Sequence, residues 1–273
     1  MLFVSGEKPD RFAKALASGA DLVCLDLEDA VAPARKQEAR AAVLAFAAAQ
    51  GGSPRLAVRL NALRTREGLE DVAALARSGV RLQTLLCPKV EHAQELALLD
   101  AWVGPYCETL VPLIESPLGI ENAFAIAQAA RQGVPRLGAL MLGGADLSSE
   151  LGAAFDWDGL LFARGRLVNA ARAAGLQAWD VPCLAVDNAG LLEEETRKAA
   201  RLGFDCKTAI HPNQIPVIHA ALAPAPEEVR WAQGLLQALE ARAGDGGAFL
   251  HEGRMVDAPV LARARRTLAR AQP

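Results

Sequence analysis

The stretch Leu110-Val111-Pro112-Leu113-Ile114-Glu115-Ser116, a segment of helical period over 119–132, and then Ala139-Leu140-Met141-Leu142-Gly143-Gly144-Ala145-Asp146 decide the fold. Two short β-type runs flank one helical segment, which is the unit of a parallel crossover. Each run gives way to a polar stretch where the chain leaves the strand. Outward from this unit the pattern repeats. Strands are predicted at 2–4, 22–27, 56–60, 84–87, 110–114, 139–142, 178–181 and 208–210, and helices near 9–18, 34–50, 66–78, 91–102, 119–132, 159–174 and 189–203. Strands alternating with helices argue for a parallel sheet. A count of eight favours an α/β TIM-type (β/α)8 barrel over an open doubly wound sheet. No GxGxxG follows the first strand and no GxxxxGK[ST] occurs, so nucleotide-binding open sheets lack their usual signature.

After Ile210 the alternation stops. Helices near 213–221 and 226–242 lead to a Gly-rich turn, Gly244-Asp245-Gly246-Gly247. A hairpin over 248–256 and a helix over 258–271 complete the chain. We therefore divide it into a barrel catalytic domain, 1–222, and a C-terminal helical and hairpin extension, 223–273. The extension is short for an independent core and is expected to pack on the barrel or on a neighbouring subunit.

Composition supports one large core. Of 273 residues, 52% are hydrophobic and 22% charged, which excludes disorder as the default. Lys plus Arg number 29 against 32 Asp plus Glu, a net charge of −3. That balance offers no global attraction to nucleic acid or an anionic membrane. The opening Met1-Leu2-Phe3-Val4-Ser5-Gly6-Glu7 has no basic region ahead of an apolar one, so no secretory signal is expected. No window approaches the roughly 20 apolar residues of a membrane span. Five widely spaced cysteines without a CxxC pair argue against zinc cages and disulfide frameworks. Cys24 and Cys87 read as core residues, and a reducing cytoplasm is the expected location.

The informative polar residues sit at strand ends, which share one rim of a parallel barrel where active sites are built. They are Ser5-Gly6-Glu7, Asp26-Leu27-Glu28-Asp29, Arg59-Leu60-Asn61, Pro88-Lys89, Glu115-Ser116, Gly143-Gly144-Ala145-Asp146 and His211-Pro212. Glu115 and Asp146 end consecutive runs and so belong on neighbouring strands. Two carboxylates brought together repel unless a cation or proton lies between them. With no His or Cys beside them, oxygen-only ligation suits Mg2+. The competing reading makes Glu115 a helix cap and Asp146 a turn cap. Arg59, inside an apolar run, either neutralises a buried carboxylate or grips a substrate carboxylate with its fork. Asp26, Glu28 and Asp29 either hydrogen-bond metal-bound water or pair with Arg59 or Lys89. His211 reads first as a structural hydrogen-bonder. Arg11 and Lys14 share a face of the first helix and read as solvated surface, with anion binding as the alternative.

Asp-Leu-Glu-Asp-Ala-Val (26–31), Val-Arg-Leu-Asn (58–61), Pro-Lys (88–89), Leu-Ile-Glu-Ser (113–116), Gly-Gly-Ala-Asp-Leu (143–147), Ala-Ile-His-Pro-Asn-Gln (209–214) and Met-Val-Asp-Ala-Pro (255–259) occur in order. Together they resemble the citrate lyase β-subunit-like proteins of the aldolase/citrate lyase (HpcH/HpaI) family, which includes malyl-CoA and citramalyl-CoA lyases. The resemblance implies a TIM-type barrel, a Mg2+ site, and cleavage or formation of a carbon–carbon bond in a 3-hydroxyacyl-CoA thioester such as citryl-, malyl- or citramalyl-CoA. It makes Glu115 and Asp146 the metal ligands, also touching substrate, and Arg59 the holder of the keto-acid end. It surrounds them with Asp26, Glu28, Asp29 and Lys89. It makes Asp257, reaching a neighbouring subunit's site, the residue that handles the proton at the thioester α-carbon. Arg11 and Lys14 match a segment that contacts coenzyme A phosphates, and His211 joins them as a coenzyme A contact. Coenzyme A thioester is then a substrate rather than a cofactor, with an acyl carrier protein as the alternative carrier and a homotrimer as the expected assembly. Ser5, Ala145, Gly165, Cys206 and the stretch Val181–Asn188 depart from the family pattern. They leave the metal ligands intact and put the substrate in question. Two other readings share these residues: a metal-dependent aldolase on free hydroxy-keto acids, and a β subunit active only inside a citrate lyase complex.

Overall fold

A computed structural model describes residues 1–242, 247–251 and 253–271. Eight parallel strands form one curled sheet in sequential order: β1 (Leu2–Ser5), β2 (Val23–Asp26), β3 (Leu56–Arg59), β4 (Leu82–Cys87), β5 (Cys107–Ile114), β6 (Ala139–Leu142), β7 (Gln177–Asp180) and β8 (Cys206–Lys207). Beyond β8, Ala209 makes a parallel bridge with Leu2 of β1. Phe3 N–H donates to the Ala209 carbonyl at 2.9 Å, and Ala209 N–H to the Met1 carbonyl at 2.8 Å. Between strands run α1 (Phe12–Leu16), α2 (Lys36–Ala49), α3 (Arg66–Ser78), α4 (Ala93–Val103), α5 (Pro117–Gln128), α6 (Gly144–Leu151), α7 (Leu161–Ala174) and α8 (Ala189–Leu202).

Side chains of one parity on the strands meet in a buried cluster that includes Met1, Cys24, Ala57, Leu86, Val111, Leu113, Ala139, Met141 and Trp179. The other parity is also buried, as on β5, where Leu110 and Ile114 alternate with Val111 and Leu113. Burial on both faces explains why these runs read as continuously apolar. Helix starts are chemically marked. The Thr65 side chain accepts the Gly68 N–H ahead of α3, and Ser116 accepts the Gly119 N–H ahead of α5, whose first residue is Pro117.

Three elements differ from expectation. Helix α6 is not among the predicted helices; Gly143-Gly144 and Ser148-Ser149 are weak helix formers. It forms around the fully buried Leu147. The last strand is Cys206–Lys207, not 208–210, although Thr208 and Ala209 continue its pairing to Asp180 and Met1. The first helix splits into a 3-10 turn, Pro9–Arg11, and α1.

Two compact units divide the chain, Met1–Ile218 and His219–Pro273. The division falls inside α9 (Gln214–Leu222), at whose end the boundary was expected. The second unit holds α10 (Pro226–Glu240), a hairpin of β9 (Phe249–His251) and β10 (Arg254–Val256), and α11 (Ala258–Ala271). It has a small apolar cluster of its own, in which Ala232, Leu235, Phe249, Val256 and Ala264 are buried. Most of the Gly-rich turn, residues 244–246, lies outside the described residues. The five cysteines are free thiols. Among the described residues, no helix is long and apolar enough to cross a membrane.

Candidate active site

Glu115 follows the last residue of β5, and β5 pairs with β6 through Ile114 and Leu142. The neighbouring-strand expectation therefore holds for the backbone. Glu115 is buried at 5% exposure, and its Oε1 accepts the Lys89 N–H at 2.6 Å. Its side chain lies across Gly143, where an added Cβ would sit 2.3 Å from Oε2. Asp146 is not a strand-end residue. It lies in the first turn of α6, half-buried, with Oδ2 3.2 Å from Lys89 Nζ. A carboxylate there is favoured by the unpaired N–H groups of the helix start. Burial first, and then the charge of Glu28, push the Glu115 carboxyl up to about 8.

Arg59 ends β3 directly opposite Asp26, the last residue of β2. The two form a two-pronged pair, Nε to Oδ1 at 2.7 Å and Nη2 to Oδ2 at 2.5 Å, while Nη1 lies 2.9 Å from Glu28. The guanidinium stands over the Phe3 ring at 5.1 Å. Both readings of Arg59 survive, since it neutralises buried carboxylates at the rim itself. Three of its five N–H groups face protein oxygens, leaving one on each terminal nitrogen. Glu28 is buried, and neither of its oxygens has a hydrogen bond, although Arg59 and Lys89 carry compensating charge nearby. Burial pushes the Glu28 carboxyl up to about 7 against the pull of Arg59. Asp29 is exposed, 3.7 Å from Lys89 Nζ.

Four residues that complete this rim escaped the sequence reading in that role. Lys36 Nζ donates to the carbonyls of Leu27 and Glu28, each at 2.7 Å, and to Asn61 Oδ1 at 2.6 Å. Asn61 donates through its backbone and its side chain to Asp71 Oδ2 at 2.8 and 2.7 Å, and buried Arg40 pairs with Asp71. This network clamps the turn that carries Glu28. A signal existed: Lys36, Arg40, Val43 and Ala47 fall on one face of α2, so two cations interrupt an otherwise apolar stripe.

The remaining candidates are placed more loosely. Arg11 and Lys14 are exposed, one in the 3-10 turn and one in α1. His211 is exposed, and its Nδ1 accepts the Asn213 N–H at 3.2 Å, a structural role. Asp257 belongs to the second unit, is exposed, and accepts the Val260 N–H at 3.2 Å at the start of α11. Of the departures, Ser5 ties the end of β1 to the loop after β2, its hydroxyl donating to the Ala30 carbonyl at 2.6 Å.

The donor set suits a hard cation. Asp26, Glu28, Glu115 and Asp146 gather at this rim with the more exposed Asp29, and these five carboxyl groups outnumber the three cations there, Arg59, Lys89 and Lys36. The Glu28 oxygens take no hydrogen bond and are held by ion pairing alone, 2.9 Å from Arg59 and 3.3 Å from Lys89. Among the described residues, no three His, Cys, Asp or Glu side chains converge as ligands. Two carboxylates plus water and substrate oxygens is the sparse ligation Mg2+ accepts.

A family model described as HpcH/HpaI aldolase/citrate lyase matches residues 1–212. The mitochondrial citramalyl-CoA lyase of Homo sapiens is 32% identical over 98% of this chain and 84% of its own. The citrate lyase subunit beta of Escherichia coli (strain K12) is 36% identical over 100% of this chain and 92% of its own. Protein CitE from Mycobacterium tuberculosis, crystallised with magnesium, acetoacetate and coenzyme A, superposes with a TM-score of 0.81 at 36% identity, covering 99% of this chain and 96% of that one.

Proposed function

The chain belongs to the HpcH/HpaI aldolase/citrate lyase family, and on that premise we propose that it is a Mg2+-dependent carbon–carbon lyase acting on a 3-hydroxyacyl-CoA thioester. The single observation that carries the reading is the rim cluster itself, with buried Glu115 and half-buried Asp146 joined through Lys89 beside the Arg59 fork. Glu115 and Asp146 would hold the ion. Mg2+, when bound, supplies Lewis-acid stabilisation of negative charge on substrate oxygens, an effect of several kcal/mol. Arg59 binds and orients the keto-acid carboxylate through its remaining N–H groups. Asp26 keeps that guanidinium charged and directed at the rim. In cleavage the substrate hydroxyl gives up its proton to solvent as the keto carbonyl forms, and the carbon–carbon electron pair goes to the thioester α-carbon, which takes up a proton. Asp257 is the proton donor in this reading, and the acceptor in the reverse direction.

The finer architecture is a closed (β/α)8 barrel, supported by the Leu2–Ala209 bridge and its flanking hydrogen bonds. A homotrimer and a cytoplasmic location complete the proposal, with an acyl carrier protein as the alternative carrier of the acyl group. Purified protein assayed with Mg2+ on citryl-, malyl- and citramalyl-CoA should release a keto acid from at least one of them. Turnover only of free hydroxy-keto acids would replace this reading with an aldolase. Turnover only after adding an acyl-loaded carrier protein would make the chain a dependent subunit.

A further inference from the structure

We infer that Lys89 is the positioning residue of the cation site, its ammonium standing in for the divalent ion and giving up Asp146 when that ion binds. The inference rests on the reading of Glu115 and Asp146 as metal ligands. Lys89 touches both of them by different means: its backbone N–H holds Glu115 at 2.6 Å, and its Nζ lies 3.2 Å from Asp146. Among the described residues it is the only non-glycine with a positive φ, +56°. A left-handed lysine is uncommon and persists where the surroundings over-determine it. Here they do. The Lys89 carbonyl accepts Arg64 Nη2 at 2.7 Å, and the next N–H, of Val90, donates to Leu113 on β5 at 3.2 Å. The peptide is thus clamped on both sides, with the ammonium directed into the acidic cluster.

The other cations near the cluster are committed. Arg59 is locked in its two-pronged pair with Asp26, and Lys36 Nζ is spent on two carbonyls and Asn61. The Lys89 ammonium is shared instead, 3.2 Å from Asp146, 3.3 Å from Glu28 and 3.7 Å from Asp29. Its side chain is 39% exposed, so its contacts are screened and readily exchanged. Without an ion it keeps mutually repelling carboxylates together. Toward an arriving ion it is a like charge occupying one ligand. On release from Asp146 it still has Glu28 and Asp29 as partners. The device therefore stabilises the ion-free site while weakening ion affinity.

The test is calorimetric Mg2+ titration of the full-length protein, with a keto acid present, for wild type, K89M, K89G and K89R. K89G keeps the left-handed backbone without strain, so agreement between K89M and K89G isolates the ammonium. Both should bind Mg2+ about tenfold more tightly than wild type, while K89R stays within about twofold. Thermal melts without the ion should show K89M and K89G lowered and K89R less so. A purely structural ion pair gives the opposite sign, because a loosened Asp146 binds the ion more weakly. Equal or weaker affinity in both K89M and K89G overturns the inference while leaving the metal site standing. Absence of Mg2+ uptake by wild type removes the metal reading and the Lys89 role together.

Discussion

Glu115 combines burial, a like-charged neighbour and a single backbone donor, and its chemistry follows from that combination. Glu115→Gln keeps the shape and removes the charge. Calorimetry should show Mg2+ affinity reduced at least tenfold, and unchanged affinity would end its role as a ligand. The same carboxyl sets a pH dependence. Its pKa stands at about 8 in the folded, ion-free protein against an ordinary value near 4.5. The unfolded chain therefore releases this proton near pH 4.5, and the folded one holds it to about 8. The group's contribution to ion-free stability is full below the lower value and is lost as pH rises to the upper one. A bound cation favours the ionised form. Mg2+ uptake at pH 7 should release protons, and affinity should climb with pH and level off above about 8. Titrations in buffers of different ionisation enthalpy measure that release directly.

Elements place these side chains through close backbone approaches. The start of α6 passes against Glu115 because residue 143 carries no side chain; a Cβ there would lie 2.4 Å from Glu115 Cβ. Gly143→Ala should displace either the helix start or the carboxylate. We expect a loss of about 1–3 kcal/mol in denaturant unfolding together with weakened Mg2+ binding. Wild-type values for both would show that the helix start yields freely. Gly143 thus has a packing reason against Glu115, and Gly144 a separate one, since a Cβ there would lie 2.7 Å from Val181 and 2.8 Å from Phe155. Strand ends with continuous apolar runs were legible from periodicity. A helix opened by two glycines was not, because its stability comes from burying Leu147 rather than from propensity.

The molecule as a whole has two compact units, with the metal-type carboxylates in the first and Asp257 in the second. If Asp257 handles the α-carbon proton, Asp257→Asn should lower kcat by about 100-fold or more and leave Mg2+ affinity unchanged. Unaltered turnover would remove it from the mechanism. Light scattering belongs beside that assay, since a monomeric, fully active enzyme would exclude a catalytic contribution from a neighbouring copy.

Residue order was enough to establish the strand–helix alternation, the rim on which polar residues collect, and the identity of Glu115, Asp146 and Arg59 as candidates. Those properties follow from local periodicity and from where apolar runs stop. Burial, by contrast, is a property of packed neighbours distant in the chain. That Arg59 already grips Asp26, that Glu28 is enclosed with both oxygens unbonded, and that Lys89 turns left-handed to reach two carboxylates at once emerged only when β2 to β6 were laid side by side. Electrostatic energies depend on separations of a few ångströms and on exclusion of water, and neither is written in spacing along the chain.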